Sequence, residues 1–153
     1  MLTKKRITLY FYGLVTIVLF LDQITKYFVV KYSPHIEFKL LTLTSIRNTG
    51  AGFGILQGQT FFLGLISLAV TLGLIYYYPK LPRKKIPQLF FALFLGGTIG
   101  NMLDRFFRGY VVDFINFSFW PAFNIADSAL TIAVIGLIGY YFLEEKKGKN
   151  KLT

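Results

Sequence analysis

The chain has no cysteine, so disulfides, thiolate metal sites and a cysteine nucleophile are excluded. It has one histidine, His35, which by itself makes neither a zinc site nor a general base with a serine beside it. Acidic residues are also few: 7 Asp and Glu stand against 17 Lys and Arg, and only four of the acids are aspartates. Long polar stretches of the kind that make a soluble surface are missing. What fills the 153 residues is apolar, with 54% hydrophobic and 18% aromatic residues, well above the needs of a soluble core. Such a composition marks an integral membrane protein, and at this length it leaves room for a single compact unit over 1–153.

A net charge of +10 could suggest nucleic acid, but its distribution excludes that reading. Lys4, Lys5 and Arg6, then Lys80, Arg83, Lys84 and Lys85, then Lys146, Lys147, Lys149 and Lys151 each flank an apolar run. Cations placed in this way are topology signals, and they set their side of the membrane as cytoplasmic. The first apolar run meets Asp22, Gln23 and Lys26 where a signal peptide would carry small residues at a cleavage site, so it is a retained span.

The expected architecture is an all-α membrane protein with four spans at about 7–30, 61–78, 88–107 and 123–143. A β-rich outer segment at about 31–59 joins the first two, because its short alternating patches and glycine-rich turns read as strands. The link after Pro79 is a tight basic turn, with Pro87 in the first turn of the third helix. Residues 109–121 read as an aromatic interfacial connection. Both termini lie in the cytoplasm, and Asp22, Lys26, Asn48, Asn101, Asp104, Arg105, Asp113, Asn124 and Asp127 all gather near the outer face.

An ionisable side chain within a span costs ~2.5–3.5 kcal/mol on insertion scales and so usually faces a bundle interior or a watery cavity. Asp22 and Lys26, four residues apart with the acid first, are placed to pair as a structural element. Asn101 shares a helical face with both Asp104 and Arg105, while those two diverge by ~100°. Asp104 reads as part of a buried polar lock, and Arg105 either joins it or holds a substrate carbonyl or headgroup. Asp113 and Asp127 have no cation at helical spacing. Two readings of them remain open. Brought together, they share one proton and form an aspartic peptidase dyad; kept apart, they cap separate helices. Ser128 and the Gly96/Gly100 pair read as helix packing, and Lys26 is a poor partner for a serine because Asp22 engages it. A proton-coupled transporter and a noncatalytic lipid-binding scaffold are the readings from other classes, the former weakened because the polar residues crowd one end of the spans.

Five motifs in order, Asp22-xxx-Lys26, Asn48-x-Gly50-xx-Phe53-Gly54, Gly96-Gly97-xx-Gly100-Asn101-xx-Asp104-Arg105, Val111-Val112-Asp113-Phe114 and Phe123-Asn124-x-Ala126-Asp127, closely resemble the lipoprotein signal peptidase (signal peptidase II) family. The resemblance implies a membrane-embedded aspartic endopeptidase of the bacterial inner membrane. It removes the signal peptide of diacylglyceryl-modified prolipoproteins just before the lipidated cysteine, and it is sensitive to the cyclic peptide globomycin. It maps the catalytic pair to Asp113 and Asp127, with Asp22, Lys26, Asn48, Gly50, Asn101, Asp104, Arg105 and Asn124 binding substrate or supporting the site. No metal or organic cofactor and no nucleic acid partner is implied. Membrane lipid is the other expected partner; the residues leave the oligomeric state open, with a monomer the expectation.

Overall fold

The computed structural model describes residues 4–149. Lys151 of the basic tail lies outside the described residues, as do the side chains of Lys4, Phe53 and Lys149. Four helices dominate: α1 (Lys4–Tyr32), α2 (Thr60–Tyr77), α3 (Lys85–Phe107) and α4 (Ile125–Lys149). All four are long and apolar enough to cross a membrane, with candidate spans of 21 to 28 residues, since about 20 residues rising ~1.5 Å each cover a hydrocarbon core ~30 Å thick. α3 is the central helix, with α1, α2 and α4 all packed against it.

Polarity is distributed as lipid requires. Apolar side chains such as Phe20, Phe61, Ile135 and Phe142 point outward and are exposed, whereas Asp22, Lys26, Gln88, Asp104 and Asn124 are completely buried. With no water in the hydrocarbon to satisfy them, polar groups must find partners inside the bundle. At the cation-rich end the core is conventional: Phe11 stacks on Tyr78 at 4.2 Å between ring centres, and Phe91, Ala92 and Leu95 of α3 close around them.

Glycines let the helices approach closely along α3. A Cβ at Gly96 would lie 3.0 Å from Val18 of α1, and one at Gly100 would lie 2.6 Å from Asp22 Oδ2. The Gly96/Gly100 pair is thus a helix-packing device, as its spacing suggests.

The β structure differs from the sequence expectation. Strands β1 (His35–Phe38) and β2 (Leu41–Asn48) do lie in the α1–α2 connection, but β3 (Val111–Phe117) and β4 (Trp120–Phe123) come from the α3–α4 connection. The four form one antiparallel sheet in the order β1-β2-β3-β4. The sheet is therefore not confined to 31–59, and 109–121 is not merely an interfacial connection. The physical reason is that β2, as an edge strand, would leave a row of backbone donors and acceptors unpaired, and β3 satisfies them. The register pairs Ile46 with Asp113 and Asn48 with Val111, past an irregularity between Leu43 and Ile46. Helix ends also shift. α4 begins at Ile125 and not at 123, because Phe123 belongs to β4 and Asn124 caps the helix. Both connections that supply strands emerge from the bundle end opposite the tight α2–α3 turn, so the sheet sits over one end of the bundle.

Candidate active site

The site forms where the sheet meets the ends of α1, α3 and α4. Its foundation is a buried ion cluster. Lys26 Nζ lies 2.9 Å from Asp22 Oδ2 and 2.9 Å from Asp104 Oδ2, with all three side chains fully buried. Asp104 also pairs with Arg108 and accepts from Gln23 Nε2 (3.2 Å) and the Val112 backbone N–H (3.1 Å). This last bond ties strand β3 to helix α3. Asp22 Oδ1 accepts from the Ala126 backbone N–H at 2.9 Å, so one carboxylate of α1 satisfies an otherwise orphaned donor at the start of α4. A buried ion pair is seldom a net source of stability, but here it fixes the relative placement of three helices and a strand.

At the start of α4, Asn124 and Asp127 form a reciprocal cap. Asn124 Oδ1 accepts from the Asp127 N–H (3.0 Å), and Asp127 Oδ2 accepts from the Asn124 N–H (3.1 Å). This is the capping-box arrangement with Asn and Asp in the two roles. It leaves Asp127 Oδ1 for Asn101, whose Nδ2 donates to it at 2.7 Å.

Asp113 arrives from β3. Its Oδ1 accepts from Asn124 Nδ2 at 2.8 Å and its Oδ2 from Asn48 Nδ2 at 2.9 Å. Asn124 therefore contacts both carboxyl groups, one through its side-chain amide and the other through its backbone. Asn48 is itself held by the Gly50 N–H, which donates to its Oδ1 at 2.9 Å. A Cβ at Gly50 would lie 2.6 Å from the Ile55 carbonyl, so only glycine fits this turn. Burial first, and then the neighbouring Asp127 carboxylate, push the Asp113 carboxyl up to about 6, against the opposing effect of the Asn48 and Asn124 amides.

Asp113 and Asp127 line one cavity of about 600 Å³. Asn48, Asn101, Arg105 and the β4 residues Trp120–Phe123 line it as well, and Ser128, Thr131 and Ile132 extend its wall along α4. Arg105 reaches across from α3, with Nη2 donating to the Gly50 carbonyl (3.3 Å) and Nη1 making longer contacts of 3.5 Å to Ser67 Oγ and the Asn101 carbonyl. Its Nε is buried with no hydrogen-bond partner. Asp22, Lys26 and Asp104 do not reach the cavity; they stand behind its wall.

The arrangement can perform acid–base chemistry on a water held between two carboxyl groups. Among the described residues, no group of three or more His, Cys, Asp or Glu side chains is placed to hold a metal ion. His35 pairs with Glu37 on the exposed face of β1, remote from this chemistry. Two contributors escape the sequence reading. Arg108, four residues after Asp104, completes the ion cluster, and that spacing was the available signal. Gln23 bridges Asp22, Asp104 and the Gly100 carbonyl, for which nothing in the sequence beyond its position beside Asp22 gives a hint.

The chain is similar to known proteins. The signal peptidase (SPase) II family model matches residues 14–143. The lipoprotein signal peptidase of Bacillus pumilus (strain SAFR-032) is 42% identical over 156 residues, covering 95% of this chain and 100% of its own. That of Caldanaerobacter subterraneus subsp. tengcongensis is 43% identical over 136 residues, covering 85% and 93%. A solved bacterial membrane enzyme superposes with a TM-score of 0.84 at 34% identity, covering 92% of this chain and 91% of the other.

Proposed function

Because the chain belongs to the signal peptidase II family, and is thus a membrane protease that removes signal peptides from prolipoproteins, we propose that Asp113 and Asp127 are its catalytic dyad. The observation that carries this reading is that one carboxyl from the sheet and one from α4 line the same cavity and are bridged by Asn124. The ionised member takes a proton from the water as its oxygen bonds to the scissile carbonyl carbon, while the protonated member donates to the carbonyl oxygen. Collapse of the resulting diol breaks the C–N bond: the proton taken from water passes to the leaving nitrogen, and one diol hydroxyl returns its proton to the carboxylate that had donated, which restores the dyad. Asp113 is pushed up to about 6 by burial and by the Asp127 carboxylate, as expected of two carboxyl groups that share one proton. Arg105, whose side chain lines the cavity, holds a substrate backbone carbonyl.

The cation-rich end of the bundle is cytoplasmic by the distribution of Lys and Arg, which puts both termini inside and the dyad near the outer face. Thr131 and Ile132, exposed on α4, continue the cavity wall toward lipid. A diacylglyceryl-modified precursor therefore enters laterally with its acyl chains still in the bilayer, and cleavage falls just before the lipidated cysteine. Residues 1–153 act as one monomeric peptidase domain, with membrane lipid the other partner and globomycin an inhibitor.

The test is cleavage of paired lipidated and unlipidated precursors by the wild type, Asp113→Asn and Asp127→Asn. Each variant should insert and fold but lose at least ~10³-fold in turnover, and only the lipidated precursor should be cut efficiently. Substantial turnover by either variant removes the dyad.

A further inference from the structure

Three asparagines surround the two aspartates, and each turns its NH2 toward a carboxylate. An asparagine side chain is ambivalent, with an acceptor and a donor end of nearly equal shape, so something must decide which end faces the dyad. For Asn48 and Asn124 the choice is made by backbone: their oxygens accept from the N–H groups of Gly50 and Asp127, which have no other polarity to offer. Asn101 has no such backbone partner. Its Oδ1 accepts from Lys26 Nζ at 2.9 Å and from Asn124 Nδ2 at 3.2 Å.

We propose that Lys26 is a positioning residue for the dyad: its ammonium makes the shorter of the two hydrogen bonds to the Asn101 carbonyl and so anchors the amide that presents its NH2 to Asp127. An ammonium has three donors and no acceptor, and those of Lys26 are distributed to Asp22, Asp104 and Asn101. Asp22 and Asp104 would suffice to neutralise the cation. Only the third bond connects it to the dyad. Through it the polarity of the chain is set in one direction, from Lys26 to the Asn101 oxygen and from the Asn101 nitrogen to Asp127 Oδ1. The same carbonyl takes one hydrogen of Asn124 Nδ2, whose other hydrogen goes to Asp113 Oδ1. Without the cation, the Asn101 oxygen keeps only the longer 3.2 Å bond from Asn124 Nδ2, so the donor that Asn101 presents to Asp127 Oδ1 is held less firmly in place. Lys26 thus acts through Asn101 and touches neither the dyad nor the cavity. The inference rests on the reading of Asp113 and Asp127 as the dyad.

Lys26→Met alone strands the buried Asp22 carboxylate, so the informative variant is the charge-balanced pair Asp22→Asn with Lys26→Met. It retains an acceptor for the Ala126 N–H and leaves Asp104 neutralised by Arg108. With a diacylglyceryl-modified precursor peptide as substrate, this pair should lower kcat about 100-fold or more while KM stays within about threefold. Asn101→Leu should do the same, and adding it to the pair should cost no more than about a further threefold, because the cation and the amide act as one unit. A pair that folds and retains near-wild-type kcat, a rise in KM with kcat unchanged, or losses that multiply in the triple variant would each overturn the proposal. If the pair does not fold, Asn101→Asp decides. It keeps the ion cluster and an acceptor for Lys26 but turns an oxygen toward Asp127, so it should lose about 100-fold in kcat; wild-type turnover would sink the idea. Asp113→Asn and Asp127→Asn in the same assay separate the two claims, since activity in either one defeats the dyad itself.

Discussion

Gly97 of α3 faces the Ala126 carbonyl of α4 so closely that a Cβ at position 97 would lie 2.6 Å from that oxygen and 3.0 Å from Leu130 Cγ. The oxygen belongs to backbone in the first turn of α4, next to Asp127, and has no flexible side chain behind which to retreat. Gly97→Ala should therefore push the start of α4 away from α3, lowering stability by about 1–3 kcal/mol and turnover by at least tenfold as Asp127 moves out of register, on the order expected for small misplacements of a reacting group. Gly139→Ala, at a position with no atom within 4 Å of the added carbon, should leave both unchanged. Thermal unfolding in detergent and precursor cleavage measure the two effects.

The pH dependence follows from Asp113. Its folded value, about 6 against an ordinary 3.8, means that the folded protein holds a proton the unfolded chain has already released between those pH values. Stability at this group is therefore greatest below about 3.8 and is lost as pH rises through about 6. For catalysis, kcat/KM should fall on the alkaline side with an apparent value near 6 that belongs to the pair. The corresponding limb of kcat should lie higher, because a bound acylated substrate displaces water and disfavours the second negative charge. A profile flat from pH 5 to 8 would contradict this.

Asp104 should be the most costly of the noncatalytic acids to remove. It holds Lys26, Arg108, Gln23 and the Val112 N–H at once. Asp104→Ala leaves Lys26 with Asp22 alone and takes the counter-ion from Arg108, and should destabilise the fold by ~3–5 kcal/mol. By contrast, Glu144→Gln disturbs the exposed Lys84–Glu144 contact of 2.7 Å and should leave the unfolding midpoint where it is, as is usual for solvated pairs. Chemical denaturation of both variants supplies the comparison.

Trp120 begins β4, lines the cavity and is 53% exposed. In the proposed reading, an aromatic residue so placed meets the precursor near the headgroups and takes no part in proton transfer. Trp120→Ala should raise KM several-fold with kcat within about threefold. A selective loss of kcat would show that the indole acts on the reacting atoms.

Much of this was legible in the residues. The four spans follow from uninterrupted apolar runs, and the buried Asp22–Lys26 pair follows from its i, i+4 spacing. The strand carrying Asp113 was not legible as a strand, because Val111, Val112, Asp113 and Phe114 are all buried in succession. A central strand covered on both faces lacks the alternation by which strands are read. Asn124-x-x-Asp127 had the spacing of a capping box, yet its position within an apolar run suggests an interruption of a helix and not its beginning. The polarity of the asparagine shell lies beyond any sequence pattern, since it depends on which donor meets each amide oxygen in space.

The order of the sheet has a mechanical consequence. β3 is an interior strand, bonded on both sides, and it carries one carboxyl, while the other rides on a membrane helix. The pair thus spans a seam between two kinds of scaffold, and any tilt of the sheet on the bundle alters the gap between the two acids. The side chain of Asn124, together with the Val112 N–H bond to Asp104, is the hinge pin that keeps this seam at working width.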